Sequence, residues 1–545
     1  MININRENPS PKKLITNTMN KSRLTQPLLF SFALLLSTFS LNAQDVKKGK
    51  DLILKERLND AKAFFKQQLA ADPKNAAVYQ FYIGEVYYAQ EKYDSAKIQY
   101  KESMMLDEKQ ALSYAGLGKI VIGANPVEGQ QNFEKALSLA GKKNAEVSNV
   151  IAGYYIKTGD KKNADAAIAL LQTALKNEPK NFYSNILAGD AYLVKGDGSF
   201  AASYFNAAAN VEPNNPLTFW RKGNLYVNAR NYDVAINTYK EGLALDPEFG
   251  PLYKEIGEIY YRSKQYKKAI ENYQLYLQKI DNNDDAQFRY ASFLYLTQDY
   301  KTALTIFDQL EQKKYPNPIL YRLKAFCLYE TGEYDKGLEY ENKFFATTDP
   351  KNILAADYEY LAKFYIKKEI DSLAFKNIQF AVLRDSSKAI LWNDLGAFYL
   401  AKSNYTNAIS AYNRKLAVIK ADDNDYLNMG KAYYFSKKYQ QADSVFTYLT
   451  DSRPKAYIGF LYRGRSNALL DPDYKTGQAK PFYDKVVELC AIDEVKYKDP
   501  LVESYQYLAS YYLYKKDKVN ANIYWNKILK LDPTNKRAQD GLKLK

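Results

Sequence analysis

Histidine is absent from the 545-residue chain, and cysteine occurs twice, at Cys327 and Cys490. Without imidazole the chain has neither the commonest neutral-pH acid/base nor the commonest metal ligand. Ser-His-Asp and Cys-His catalysis, the His-Glu-x-x-His zinc helix and Cys2His2 zinc are therefore excluded. The two thiols lie far apart along the chain, whereas a disulfide needs Cα atoms within about 7 Å, so both read as small buried apolar residues. Long apolar runs are missing too. The longest, Pro27 to Phe39, has 13 residues, against the roughly 20 that a membrane-spanning helix requires.

That short run belongs to an address. Met19-Asn20-Lys21-Ser22-Arg23 is basic, the apolar run follows, and Leu41-Asn42-Ala43 before Gln44 fits a small-residue cleavage site. Residues 1–43 thus read as a secretory signal peptide, with Met19 as the candidate start. No cysteine follows the cleavage site to carry a lipid anchor. An exported protein is expected, periplasmic or extracellular. The formal charge of +15 includes Arg6, Lys12, Lys13, Lys21 and Arg23 against Glu7 in that segment, which leaves +11 on the mature chain. For an exported chain this charge points to anionic surfaces or acidic proteins, with nucleic acid unlikely as a partner.

What the chain has in quantity is tyrosine, 51 residues, placed with a period. In the stretch from Ala389 to Lys420, Trp392, Leu395, Gly396 and Tyr399 fall on one helix face, and Tyr405, Ala408 and Tyr412 mark a second helix. The small residue at Gly396 has equivalents at Gly84, Gly118, Ala152, Gly189, Gly223, Gly257, Ala291, Ala325, Ala362, Gly430, Gly464 and Ala509. Nine of the twelve intervals are 34 residues, two are 37 and the last is 45. Ala408 heads an independent series in the same register, from Ala61 and Ala96 to Ala479 and Ala521. An aromatic stands four residues after most of its members, as at Phe65, Tyr100, Tyr239, Tyr273 and Trp525. Prolines at Pro73, Pro179, Pro213, Pro247, Pro454 and Pro533 close repeats, since proline cannot continue the helical ladder.

This pattern resembles the tetratricopeptide repeat (TPR), a helix-turn-helix unit of about 34 residues. The resemblance covers essentially everything from Val46 to the end and implies an all-α fold, an α-solenoid superhelix of about 14 repeats. The expected organisation is a repeat array over 44–490, a looser connection at 491–500, a last repeat at 501–534 and a capping helix at 535–545 that covers the exposed end of the stack. The first repeat has a poorly marked leading helix between Val46 and Glu56.

Two motifs invite chemistry and fail. Gly116-Leu117-Gly118-Lys119 has the look of a phosphate loop but lacks the Ser or Thr after lysine and lies inside a repeat helix. Asp281-Asn282-Asn283-Asp284-Asp285 and Asp422-Asp423-Asn424-Asp425 lack the glycine and distal glutamate of a calcium loop, and read as caps of the next helix. No enzyme, no cofactor, no metal site and no small-molecule substrate are expected.

The surface not used for packing carries the functional reading. Positions one and four after the small residue, and one after the Trp position, turn roughly 80° to 140° away from the core face at 100° per residue. In the family that adjacent face lines a concave groove that binds partner segments. Carried over, it contains Asn224, Tyr261, Arg322, Tyr329, Lys363, Lys431, Tyr434 and Arg465, along with Tyr88, Lys254 and Glu258, and it turns basic from the ninth repeat. The Lys/Asn/Asn/Lys/Arg clamp for C-terminal carboxylates is not found. Two functions follow. One is a scaffold of the cell envelope that binds other envelope proteins or peptide segments, acidic ones included. The other is an anionic-polymer binder that holds glycan or nucleic acid in a basic groove.

Overall fold

The computed structural model describes residues 42–141 and 145–544. The signal-peptide reading of residues 1–43 falls outside them except at Asn42 and Ala43, which begin the first helix. Among the described residues there are 29 α-helices and no β-strand. No helix among them is long and apolar enough to cross a membrane. Taken in order, the helices form 14 antiparallel pairs, from Asn42–Leu54 with Leu58–Ala71 to Lys498–Tyr514 with Lys518–Leu531, and Lys536–Lys543 follows as a single short helix. In each pair we call the first helix leading and the second trailing. Cys327 and Cys490 are free thiols, both buried.

The two series of small residues explain why these helices pair. A Cβ on Gly84 would sit 2.5 Å from the ring of Tyr100, and one on Gly189 2.3 Å from that of Phe205. Where the small residue of the leading helix is glycine, it is the floor of a slot filled by an aromatic from the trailing helix. The same relation holds for Gly257 with Tyr273, Gly396 with Tyr412 and Gly430 with Phe446. It also holds for Gly49 with Phe65, where the Cβ would be 2.3 Å from the ring, so the first repeat has a regular leading helix, Asn42–Leu54. The hairpin turns place one residue in the left-handed region, at φ 59° for Glu91 and 58° for Arg230. This lets the next amide close on the leading helix, as Lys92 N does on the Tyr87 carbonyl at 2.9 Å. The terminal short helix covers the last pair, with Gly541 set against the Trp525 indole.

The chain divides into two compact units, residues 42–327 and 328–544. Within each unit the leading helices of successive repeats pack on one another. This contact between neighbours produces the candidate surface.

Candidate partner-binding surface

In the first unit the positions assigned to the groove are occupied by the protein's own charges. One residue after the small position, repeats two, five and seven carry Glu85, Asp190 and Glu258, and each pairs with a cation from the next leading helix. Lys119 Nζ lies 2.6 Å from Glu85, Arg221 Nε 2.9 Å from Asp190, and Arg289 Nη2 2.6 Å from Glu258. Glu85 and Asp190 are buried with their partners, and tyrosine hydroxyls complete two of the sites: Tyr100 donates to Glu85, and Tyr273 to Glu258 at 2.8 Å. Burial pulls Lys119 below the usual lysine range against the attraction of Glu85. At Glu258 burial works upward, but the guanidinium of Arg289 and its hydrogen bonds hold the carboxyl below its ordinary value. Asn224 belongs to the same row and accepts the hydroxyl of Tyr239 at 2.6 Å. Tyr261 is buried under the Arg289 guanidinium, 4.3 Å from the ring centre, and Arg322 is only 2% exposed. The three ion pairs tie one repeat to the next, Asn224 ties the two helices of its own repeat, and Tyr261 and Arg322 are buried.

In the second unit the remaining expected residues are half-buried and fall in two clusters. Tyr329 packs edge-on against Tyr360 and Phe364, and Lys363 stands 4.9 Å above the Tyr360 ring. Lys431 lies 5.7 Å from the ring centre of Tyr462, which also receives the Arg465 guanidinium at 4.9 Å and the edge of Tyr434. The cations are not alone. Lys363 and Lys388 both bind Glu359, at 2.7 and 2.5 Å, and Arg465 makes a two-pronged bond to Glu503 at 2.7 and 2.6 Å. Asp394, whose carboxyl burial raises although Lys363 and Lys367 pull it down, stands among the same lysines. Lys431 has no carboxylate partner among the described residues. The groove expected to turn basic from the ninth repeat onward is thus an alternation of lysine, carboxylate and tyrosine, because Glu359 itself occupies a groove position, one after the Trp position of its repeat, and Asp394 and Glu503 reach in from positions beside it.

A third group of charges was not anticipated. The first leading helix reaches the start of one later helix and the ends of two others: Lys50 pairs with Glu146 at 3.8 Å, Lys47 with Glu212 at 3.2 Å and Lys55 with Asp246 at 2.6 Å, all inside the first unit. Burial brings Lys50 down to about 7 against the pull of Glu146, Asp51 and Glu85. It pushes Glu146 up to about 7 against Lys50 and Tyr82, with Glu178 adding to the rise, and Asp51 up to about 6 against Lys47, Lys55 and Lys50, with Glu212 adding. The two carboxyls hold protons more tightly folded than unfolded, so their contribution to stability falls as pH rises from the ordinary carboxylate range to about 7. Lys50 holds its proton less tightly when folded, so its contribution rises above about 7. Comparing thermal unfolding of the parent chain with that of Asp51→Asn/Glu146→Gln between pH 5 and 7 is expected to show a smaller fall in the variant. Parallel curves would contradict these proton affinities.

Residues 159–216 and 221–285 match the family model described as tetratricopeptide repeat, and residues 258–342 match that of anaphase-promoting complex, cyclosome, subunit 3. Among solved structures, the C-terminal part of a TPR repeat-containing protein from Cytophaga hutchinsonii is 41% identical, with a TM-score of 0.43 and a match that covers 47% of this chain and all of that one. A tetratricopeptide repeat protein from Parabacteroides merdae is 19% identical, with a TM-score of 0.30, over 46% of this chain and 98% of its own. A thermophilic TPR protein from Thermus thermophilus is 16% identical, with a TM-score of 0.27, over 40% and 98%. No curated protein matches significantly in sequence.

Proposed function

We propose that this chain, which belongs to the tetratricopeptide repeat family, is an exported scaffold of the cell envelope that holds a partner segment against the leading helices of its second unit. Tandem repeats of this family form non-catalytic protein-binding scaffolds, and a rigid preformed surface lowers the ordering cost of capture. The observation that carries the choice of surface is Lys431, whose ammonium meets the Tyr462 ring and no carboxylate among the described residues. It stands on the same unit as the Tyr329 and Lys363 cluster, whereas Asn224, Tyr261 and Arg322 in the first unit are engaged or buried. Alternating charges and aromatics suit a peptide that presents both acidic and apolar side chains. The interleaved Glu359, Asp394 and Glu503 would repel a uniformly anionic polymer. The N-terminal basic and apolar pattern supports export.

Photo-crosslinkers placed at Lys363 and Lys431 in the native cell, with exposed Lys518 as control, test this reading. A discrete protein captured from the first two sites and not from the third is expected, with Lys431→Glu weakening its binding at least tenfold. Carbohydrate or nucleic-acid adducts, or equal labelling at all three sites, would overturn it.

A further inference from the structure

The contact between the first hairpin and repeats four to seven differs in kind from the contacts between neighbouring repeats. Neighbours meet through apolar rows into which single buried ion pairs such as Lys119–Glu85 are set: Phe65 of the first repeat stacks on Tyr82 of the second, with ring centres 5.2 Å apart. The distant contact is mostly polar. Besides the three ion pairs of Lys47, Lys50 and Lys55, Tyr276 donates to Glu56 at 2.5 Å, and Lys254 stands 3.9 Å from the same carboxylate. The Asp281 amide donates to the Glu56 carbonyl at 3.3 Å. The Asp281 carboxylate accepts from the Asn59 amide at 2.5 Å, capping the first trailing helix from 222 residues away. One apolar side chain, Leu54, enters the cluster formed by Phe182, Tyr183, Leu217, Trp220 and Phe249.

Such a contact is cheap to undo. Its ion pairs are individually weak where water reaches them, as it does at Lys47, 42% exposed, and at Lys55, 22%. Docking also keeps groups from water that gain by release: the buried Tyr183 hydroxyl has no hydrogen-bond partner among the described residues, and Lys50, Asp51 and Glu146 are all shifted by burial against their charged forms. The first hairpin meanwhile keeps its own core, Gly49 under Phe65 and Phe65 on Tyr82, without the distant contact.

We propose that residues Lys47 to Asn59 and the segment from Asp246 to Asp281 form a releasable latch that closes the first seven repeats into a ring, opening as one step while the repeats on either side of it stay folded. The two faces of the latch are far apart in sequence, so release exposes both at once. A hairpin that simply frays would expose only its own amides.

Hydrogen exchange of the full chain, read by mass spectrometry, distinguishes the two. Lys55→Glu sets two like charges where Lys55 met Asp246. It is expected to speed exchange at least tenfold both in residues 42–59 and in residues 246–281, leaving 84–100 and the second unit unchanged. Adding Asp246→Lys restores an opposite-charge pair and is expected to return both segments to parental rates. Faster exchange in 42–59 alone, no change in either segment, general loss of protection throughout the first unit, or failure of Asp246→Lys to rescue would each overturn the latch.

Discussion

Replacing Lys119 by methionine is expected to destabilise the first unit by about 3–5 kcal/mol, the usual cost of leaving one member of a buried ion pair without the other. Glu85 is 1% exposed, and its partners are the Lys119 ammonium at 2.6 Å and the Tyr100 hydroxyl. Methionine fills the space of the lysine stem beside Tyr88, whose ring centre lies 3.9 Å from Nζ, but supplies nothing to balance the carboxylate. The loss is therefore one of electrostatics rather than of packing. The double variant Lys119→Met/Glu85→Gln removes the buried charge and still offers Tyr100 an oxygen to donate to, so it is expected to recover most of the stability. Denaturant unfolding followed at Trp220, the one tryptophan in the first unit, measures both. Equal losses in the single and double variants would show that Lys119 acts through its stem, and no loss in either would show that the pair holds nothing together.

Much of this architecture can be read from spacing. Slots and plugs recur because a helix pair needs a close approach at one place and a large side chain beside it, and both leave a 34-residue imprint. Even the poorly marked leading helix of the first repeat carries the small-residue signal, since Gly49 stands twelve residues before Ala61 as Gly84 does before Ala96. It was obscured because Gly49 lies 35 residues before Gly84, with leucine at 52 in place of the usual tyrosine. The candidate surface was less legible. Helical phase says which side a residue faces, not whether the neighbouring repeat covers that side. Glu85 and Lys119 stand at the same position of successive repeats with opposite charges, a hint of mutual burial that helical phase alone does not convey. The acidic run at Asp281 shows where local reasoning stops: Asn283 caps the next helix by accepting from the Ala286 amide at 3.0 Å, while Asp281 reaches Asn59. That meeting depends on curvature summed over seven repeats, and no local pattern records it.

The same change, glycine to alanine, is expected to have opposite signs at Gly223 and Gly123. In a helix interior alanine gains about 1 kcal/mol over glycine from backbone propensity alone. At Gly223 the new Cβ would lie 2.0 Å from Tyr239 Cε1 and 2.4 Å from Cδ1. The ring has nowhere to go, because Tyr239 is fully buried and its hydroxyl is held by Asn224 at 2.6 Å. Relief requires either parting the two helices of the sixth repeat or breaking that hydrogen bond. Overpacking of this kind costs about 1–3 kcal/mol, enough to cancel the propensity gain at alanine, and Gly223→Val is expected to lose about 3 kcal/mol or more. Gly123 has open space where a Cβ would go, so Gly123→Ala is expected to be neutral or to stabilise by up to about 1 kcal/mol through the unfolded chain. Thermal melts of the three variants decide the point. If Gly223→Ala melted with Gly123→Ala, the slot would be wider than its glycine implies, and close approach of the helices would not be what the 34-residue series of small residues preserves.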